Sequence, residues 1–263
     1  MQNFRIGATQ AKGMKFMSDY GSMCDEFYIH ANLNTEMELP TARETLLHFF
    51  EQIKRRYPSL QNFYSREEGE YVLEEDKQKG NHRWVSAEKK RICSGHMNPA
   101  TLEEAIDQHA FVMDTIPYTL SVSPLDCESL NLMYGFDFNY RGNQNELLAE
   151  ALGMAPPMEK LLDVEGSRLI AFDPSIQIAL EDDCRTQCRL SIETRTTAYH
   201  VRTGEYPEEH LTVYLTMRRY GSLANDETYE AKLRDLHKRA IKILNEQVIE
   251  NVIEPLRARI AIQ

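Results

Sequence analysis

The chain has 263 residues, 42% of them hydrophobic, and a formal net charge of −11 at pH 7. That acidity opposes whole-surface attraction to nucleic acid or to an anionic membrane. No apolar run approaches the roughly twenty residues of a membrane-spanning helix, and the first thirty positions hold no signal-like apolar segment.

Positions 1–25 mix glycines with polar residues and read as a peripheral lead-in. Phe27, Ile29, Ala31 and Leu33 then alternate with Tyr28, His30, Asn32 and Asn34, the period-two mark of a strand with one buried face. A helix opens at Pro40-Thr41, turns Leu46, Leu47, Phe50 and Ile53 inward and ends at the basic pair before Tyr57-Pro58. Strands are expected over Asn62 to Glu74 and His82 to Met97, joined by the polar loop from Asp76 to Asn81. Thr101 caps a second helix, with Leu102, Ala105, Ile106, His109 and Met113 on its face and Pro117 as its stop.

The clearest strand pattern follows Pro124: Leu130, Leu132, Tyr134, Phe136 and Phe138 face one way, Asn131, Met133, Gly135, Asp137 and Asn139 the other. A short helix near Asn145 to Leu152 and a Pro156-Pro157 break lead to a meander. Its strands begin at Ile176, at Cys184 and at Leu211, with turns at Glu181-Asp182-Asp183 and Arg202 to Pro207. A long amphipathic helix closes the chain. Asn225 reads as its N-cap; Tyr229, Leu233, Leu236, Ala240, Leu244, Val248 and Val252 form its apolar stripe; Pro255 should end or kink it at Glu254.

These elements specify an α+β fold, an antiparallel sheet with helices on one face. The order strand, helix, strands, helix occurs twice, which divides the chain into a lead-in at 1–25, a first half at 26–124 and a second at 125–263. The residues of the halves do not align, so the similarity is one of pattern. If it is real, the strands at Phe27 and Tyr134 share the centre of one sheet.

Signatures of chemistry are sparse. There is no glycine-rich phosphate loop, His-Glu-x-x-His or Cys-x-x-Cys. The run from Asp137 to Gly142 begins like a calcium loop, but Arg141 and Leu148 stand where oxygen ligands belong, so it reads as a strand end and turn. No metal or cofactor is expected. Five cysteines, sparse and odd in number, suit free thiols in a reducing cytoplasm; Cys184 and Cys188, about 13 Å apart on a strand, read as small buried residues.

Three constellations stand out. Arg185, Arg189, Arg195, Arg202, Arg218 and Arg219 fall in the meander, where guanidinium forks on one sheet face suit carboxylate or phosphate, with Arg185, Arg189, Arg195 and Arg218 the candidates for the ligand; the competing reading pairs them with the many nearby acids. His30 with Asp137 offers a base and an orienting carboxylate, provided the two strands lie side by side, and His200 is a further acid/base candidate. Lys89-Lys90-Arg91 beside Trp84 is a third basic group, with Glu67-Glu68, Glu70 and Glu74-Glu75-Asp76 as nearer partners than any nucleic acid.

The resulting expectation is a non-catalytic binding or protein-interaction module, cytoplasmic, forming a homodimer through a sheet edge or the long helix. The alternative is an enzyme or sensor of a small anionic ligand held by the meander arginines, with His200 or His30 as acid/base.

Overall fold

In a computed structural model that describes residues 20–66, 69–224 and 226–262, one antiparallel sheet of nine strands carries the helices on one face. The strands are β1 (Glu26–Thr35), β2 (Asn62–Ser65), β3 (Tyr71–Glu74), β4 (His82–Ala87), β5 (Arg91–Met97), β6 (Cys127–Tyr140), β7 (Ser175–Ala179), β8 (Thr186–Glu193) and β9 (Glu209–Tyr220). Their order is β2-β3-β4-β5-β1-β6-β9-β8-β7. The two strands with the cleanest alternation, β1 and β6, pair at the centre, with Phe27 opposite Phe136 and Ile29 opposite Tyr134. From that seam each half of the chain runs outward to its own edge.

Period-two alternation decides which face meets the helices. Phe27, Ile29, Ala31 and Leu33 of β1, Leu130 to Phe138 at alternate positions of β6, and Leu211, Val213, Leu215 and Met217 of β9 are all buried. Against them lie α1 (Arg43–Arg56), α2 (Leu102–Thr119) and the C-terminal helix, which packs on α2, β6 and β9. A shorter helix, α3 (Gln144–Leu152), starts on the Asn143 side chain, which accepts from two backbone amides, and it meets the far end of the C-terminal helix. A one-turn helix α4 (Pro156–Glu159) and α5 (Ala198–Thr203) complete the set before the last helix.

That last helix starts as α6 (Tyr229–Ile243), capped by Thr228, whose hydroxyl accepts from the Ala231 amide. The expected cap at Asn225 lies outside the described residues. Nor does Pro255 end it. The helix widens into a π-wound stretch over Leu244–Ile253 and resumes as α7 (Glu254–Ile262) with the proline inside. Proline removes one N–H and crowds the carbonyl four residues back, and a stretch with i→i+5 bonding accommodates both defects without breaking the rod. Pro117 likewise fails to stop α2, which runs to Thr119; near a C-terminus the missing amide leaves only one internal carbonyl unpaired.

Three further expectations are corrected. The two long strands before α2 are four short ones. Gly69, at φ +83°, sits in the first turn, and the Glu88 amide donates to the Arg91 carbonyl at 2.8 Å in the second. The lead-in at 1–25 is not wholly peripheral: its residues 1–19 lie outside the described residues, but Tyr20 is buried against the Phe27 and Phe136 rings, and its hydroxyl donates to Asn245 at 2.5 Å. The turn expected from Arg202 begins only at Gly204 (φ +73°), because α5 occupies the preceding residues.

Candidate functional site

The face of the sheet turned away from the helices is bare, and its two halves differ. Over β4, β5 and β1 it is covered by its own rings. Trp84 lies across Gly95 on the neighbouring strand, so close that a Cβ there would come within 2.1 Å of the indole; Tyr28 lies across Gly135 in the same way, at 2.3 Å. His30 packs edge-on to Trp84 at 4.8 Å and against Tyr28 at 5.3 Å, and Tyr28 meets Tyr214 at 6.5 Å. Glycine is required at both positions because the ring occupies the space of its side chain.

Over β6, β9, β8 and β7 the same face opens into a cavity of about 320 Å³. Its floor carries Arg218 and Thr216 from β9 and Gln187, Arg189 and Ser191 from β8. Gln177 closes it at the β7 edge, Met133 and Tyr214 give it an apolar wall, and Glu193 stands at one end. Strand register explains the convergence: Arg189 is opposite Thr216 on β9 and Gln177 on β7, and Arg218 is opposite Gln187 and Asn131, so all point to the same side.

The four expected arginines separate into two kinds. Arg185 lies in the β7–β8 turn, beside Asp183 at 3.9 Å, and Arg195 follows β8, beside Glu193 at 3.6 Å. Both are exposed, ordinary ion pairs. Arg189 and Arg218 line the cavity, and among the described residues neither has a carboxylate within 4 Å. Arg218 is held by two neighbours: Nε donates to Asn131 Oδ1, and Nη1 donates to the hydroxyl of Tyr220 at 2.8 Å, with the guanidinium 5.4 Å from the centre of that ring. Arg189 Nε donates to Ser175 Oγ at 3.2 Å. Each guanidinium is positioned by neutral groups and keeps its charge unspent, an arrangement suited to an anion.

The catalytic pairing expected of His30 and Asp137 is not made. In register, His30 faces Met133 and Asp137 faces Glu26, four residues or about 13 Å further along the sheet. Asp137 is reached instead by the Tyr28 hydroxyl, at 3.4 Å. Burial under the rings, with the nearby Arg91 charge, pushes the His30 pKa down to about 4, so at neutral pH its imidazole is uncharged and weakly basic. His200 lies elsewhere, on α5; its Nδ1 accepts from the Thr197 amide at 3.3 Å, and it borders a separate open depression with Arg141 and Tyr206.

The third basic group dissolves too. Trp84 sits over Gly95, while Lys89 pairs with Glu38 at 2.8 Å and Arg91 pairs with Glu88 in the β4–β5 turn. Of the acids expected as their partners, Glu67 and Glu68 lie outside the described residues, and Glu70 pairs with Arg66 at 3.1 Å. Cys188 is buried on β8 as expected, but Cys184 is exposed in a turn at φ +57° rather than on the strand. Among the described residues no group of three His, Cys, Asp or Glu side chains is placed to hold a metal ion.

What sequence reasoning missed is the neutral part of the site: Asn131, Met133, Gln177, Gln187, Ser191 and Tyr220. One signal was available. From Thr212 to Tyr220 every second residue is polar or aromatic, which marks the outward face of a central strand as something other than plain solvent contact. No protein-family model matches the chain, and no curated protein matches its sequence.

Proposed function

We propose that this chain is a binding protein whose open sheet face holds a small anionic ligand, a carboxylate or phosphate, at Arg218 and Arg189. The observation that carries the reading is Arg218, fixed by Asn131 and Tyr220 at the floor of the cavity, with no carboxylate within 4 Å of it among the described residues. An exposed arginine paired with acid gains little from a ligand, because the anion must displace an existing partner. A guanidinium braced only by neutral groups has no such competitor, and its side chain is already ordered. The proposal is one of binding: the two guanidinium groups offer an anion charge together with directed hydrogen bonds.

The test is thermal shift and calorimetry with citrate, acetate and inorganic phosphate at two salt concentrations. A saturable rise in melting temperature, weakened by salt and abolished in Arg218→Gln, supports the site. An equal response in wild type and Arg218→Gln, or no response to any of the three anions, overturns it.

A second reading concerns partners. Edge strand β7 carries no charge, and Ile176 and Ile178 on it are 60% and 47% exposed, without the lysines or proline by which natural edges discourage pairing. We propose that a second copy of the chain pairs there, as a cytoplasmic homodimer. Light scattering should give twice the chain mass for wild type and the monomer mass for Ile178→Lys; a monomeric wild type removes the proposal.

A further inference from the structure

The charges along the cavity are not all of one sign. Arg218 lies at one end of the floor, Arg189 in the middle and Glu193 at the other end. Glu193 is four residues from Arg189 on β8 and six from the position opposite Arg218, so the backbone spacings are about 13 and 20 Å. The Glu193 carboxylate is exposed and, among the described residues, pairs with Arg195 alone, loosely at 3.6 Å. Between the charged ends the floor is neutral and rich in hydrogen-bonding groups: Gln177 and Gln187, joined to each other, and the hydroxyls of Ser191 and Thr216. Met133 and Tyr214 line the inner side.

A bare inorganic anion uses one end of this arrangement and leaves the other idle. Worse, Glu193 repels it. A ligand that matches the whole cavity carries an anion at one end, a cation at the other and amide-like groups between, in an extended form. We propose that the ligand is an extended zwitterion of peptide length, its carboxylate at Arg218 and Arg189 and its ammonium at Glu193. This inference rests on the anion reading of the two arginines and adds to it the opposite end and the length. An extended tetrapeptide spans about 13 Å, the Arg189 to Glu193 spacing. Its backbone amides meet side-chain amides and hydroxyls, which serve as donors and acceptors alike.

Three probes separate the parts: tetra-alanine with free ends, its N-acetylated form and its C-terminal amide, each titrated calorimetrically into wild type, Glu193→Gln and Arg218→Gln. Glu193 is on the surface, so its replacement leaves the fold intact. The expected result is at least a tenfold loss of affinity on acetylation in wild type and no difference between free and acetylated peptide in Glu193→Gln. Amidation of the carboxylate should cost at least as much, and that penalty should vanish in Arg218→Gln. If acetylation has no effect in wild type, or its effect persists in Glu193→Gln, the zwitterion inference is wrong while Arg218-dependent binding of acetate or phosphate leaves the anion site standing. If neither peptides nor simple anions bind, both fail together.

Discussion

Over β4, β5 and β1 the open face of the sheet is covered by Trp84, His30 and Tyr28, with Gly95 and Gly135 making room for the rings; over β6, β9, β8 and β7 the same face keeps arginines, amides and hydroxyls around a cavity. Both regions lie on the face of the sheet turned away from the helices. Filling a face with its own aromatic rings leaves no room for a ligand and yields rigidity, whereas polar side chains of unequal length leave a hollow with unspent hydrogen-bonding capacity. Five strands lie on one side of the β1–β6 seam and four on the other, and they differ in what they leave exposed, so the ligand is expected on the second.

The harshest way to break this comparison is to disrupt the C-terminal helix, which lies beneath β6 and β9 and against α2. Leu244 is wholly buried where α6 passes into the π-wound stretch, and Leu244→Asp places an unpaired carboxylate there, at a cost of about 3–5 kcal/mol. Trp84, the only tryptophan, reports from the other half. Because β1 and β6 are paired along their length, the two halves should unfold together. Trp84 fluorescence and far-ultraviolet circular dichroism should therefore give one coincident, strongly lowered transition; an unchanged Trp84 transition would show the halves to be independent.

Acid acts on the buried histidines, most strongly on those of the first half. His30, His96 and His109 all lie there, and burial is the largest cause of the lowered pKa in each: to about 4 for His30, to about 3 for His96 and well below the usual value for His109. The unfolded chain takes up protons near pH 6.5 while the folded chain resists. Stability is thus full above pH 6.5 and falls as the pH drops toward 4, by up to about 1.4 kcal/mol per pH unit for each histidine. Urea midpoints measured from pH 7 to pH 4 should fall, and His30→Gln should flatten the curve by one histidine's share. An identical slope in the variant would show that His30 is solvated.

A smaller effect tests the covering rings themselves. Gly135→Ala pushes a methyl group into the Tyr28 ring, which must shift against His30 and Tyr214, an overpacking cost of about 1–3 kcal/mol. Because Gly135 adjoins Met133 on the same strand, the displaced ring should also alter the cavity. The check is a denaturant midpoint together with anion affinity; a fully stable variant would mean that Tyr28 moves aside freely.

Much of this fold was legible because alternation with period two fixes faces, and the alternation is strongest where burial is complete. It identified β1, β6 and β9, the buried side of each, and the stripe of the last helix. The errors fall where backbone chemistry outweighs pattern: Pro117 inside a helix, Gly69 breaking a strand, and Tyr20 drawn into the core from a polar stretch. The site was only partly legible for a related reason. Listing basic residues found Arg189 and Arg218 together with Arg185 and Arg195, but separating them required registers, which set which arginine shares a face with Asn131 and Tyr220 and which falls beside an acid in a turn. The same limit produced the false pair of His30 and Asp137: adjacent strands were inferred correctly, but adjacency does not give the offset along them.

The smallest expected effect is also the sharpest control. Arg185 and Arg195 carry the same charge as the cavity arginines and lie on the same meander, so a diffuse electrostatic attraction would enlist all four about equally. A built site enlists two. Each outer arginine is exposed and pairs with an acid only two residues away in sequence, an interaction worth between zero and about 1 kcal/mol. Arg185→Ala should therefore shift the melting temperature by no more than a degree or two, since a change under about 0.5 kcal/mol moves a domain of this size by that much. It should leave citrate affinity at low salt within about twofold of wild type, the screened remainder of one distant charge. A loss as large as that of Arg218→Gln would mean that the whole meander, and not the cavity floor, attracts the anion. Arg185 is the better of the two outer arginines for this control, because Arg195 neighbours Glu193 and its removal would also free the carboxylate at the far end of the cavity.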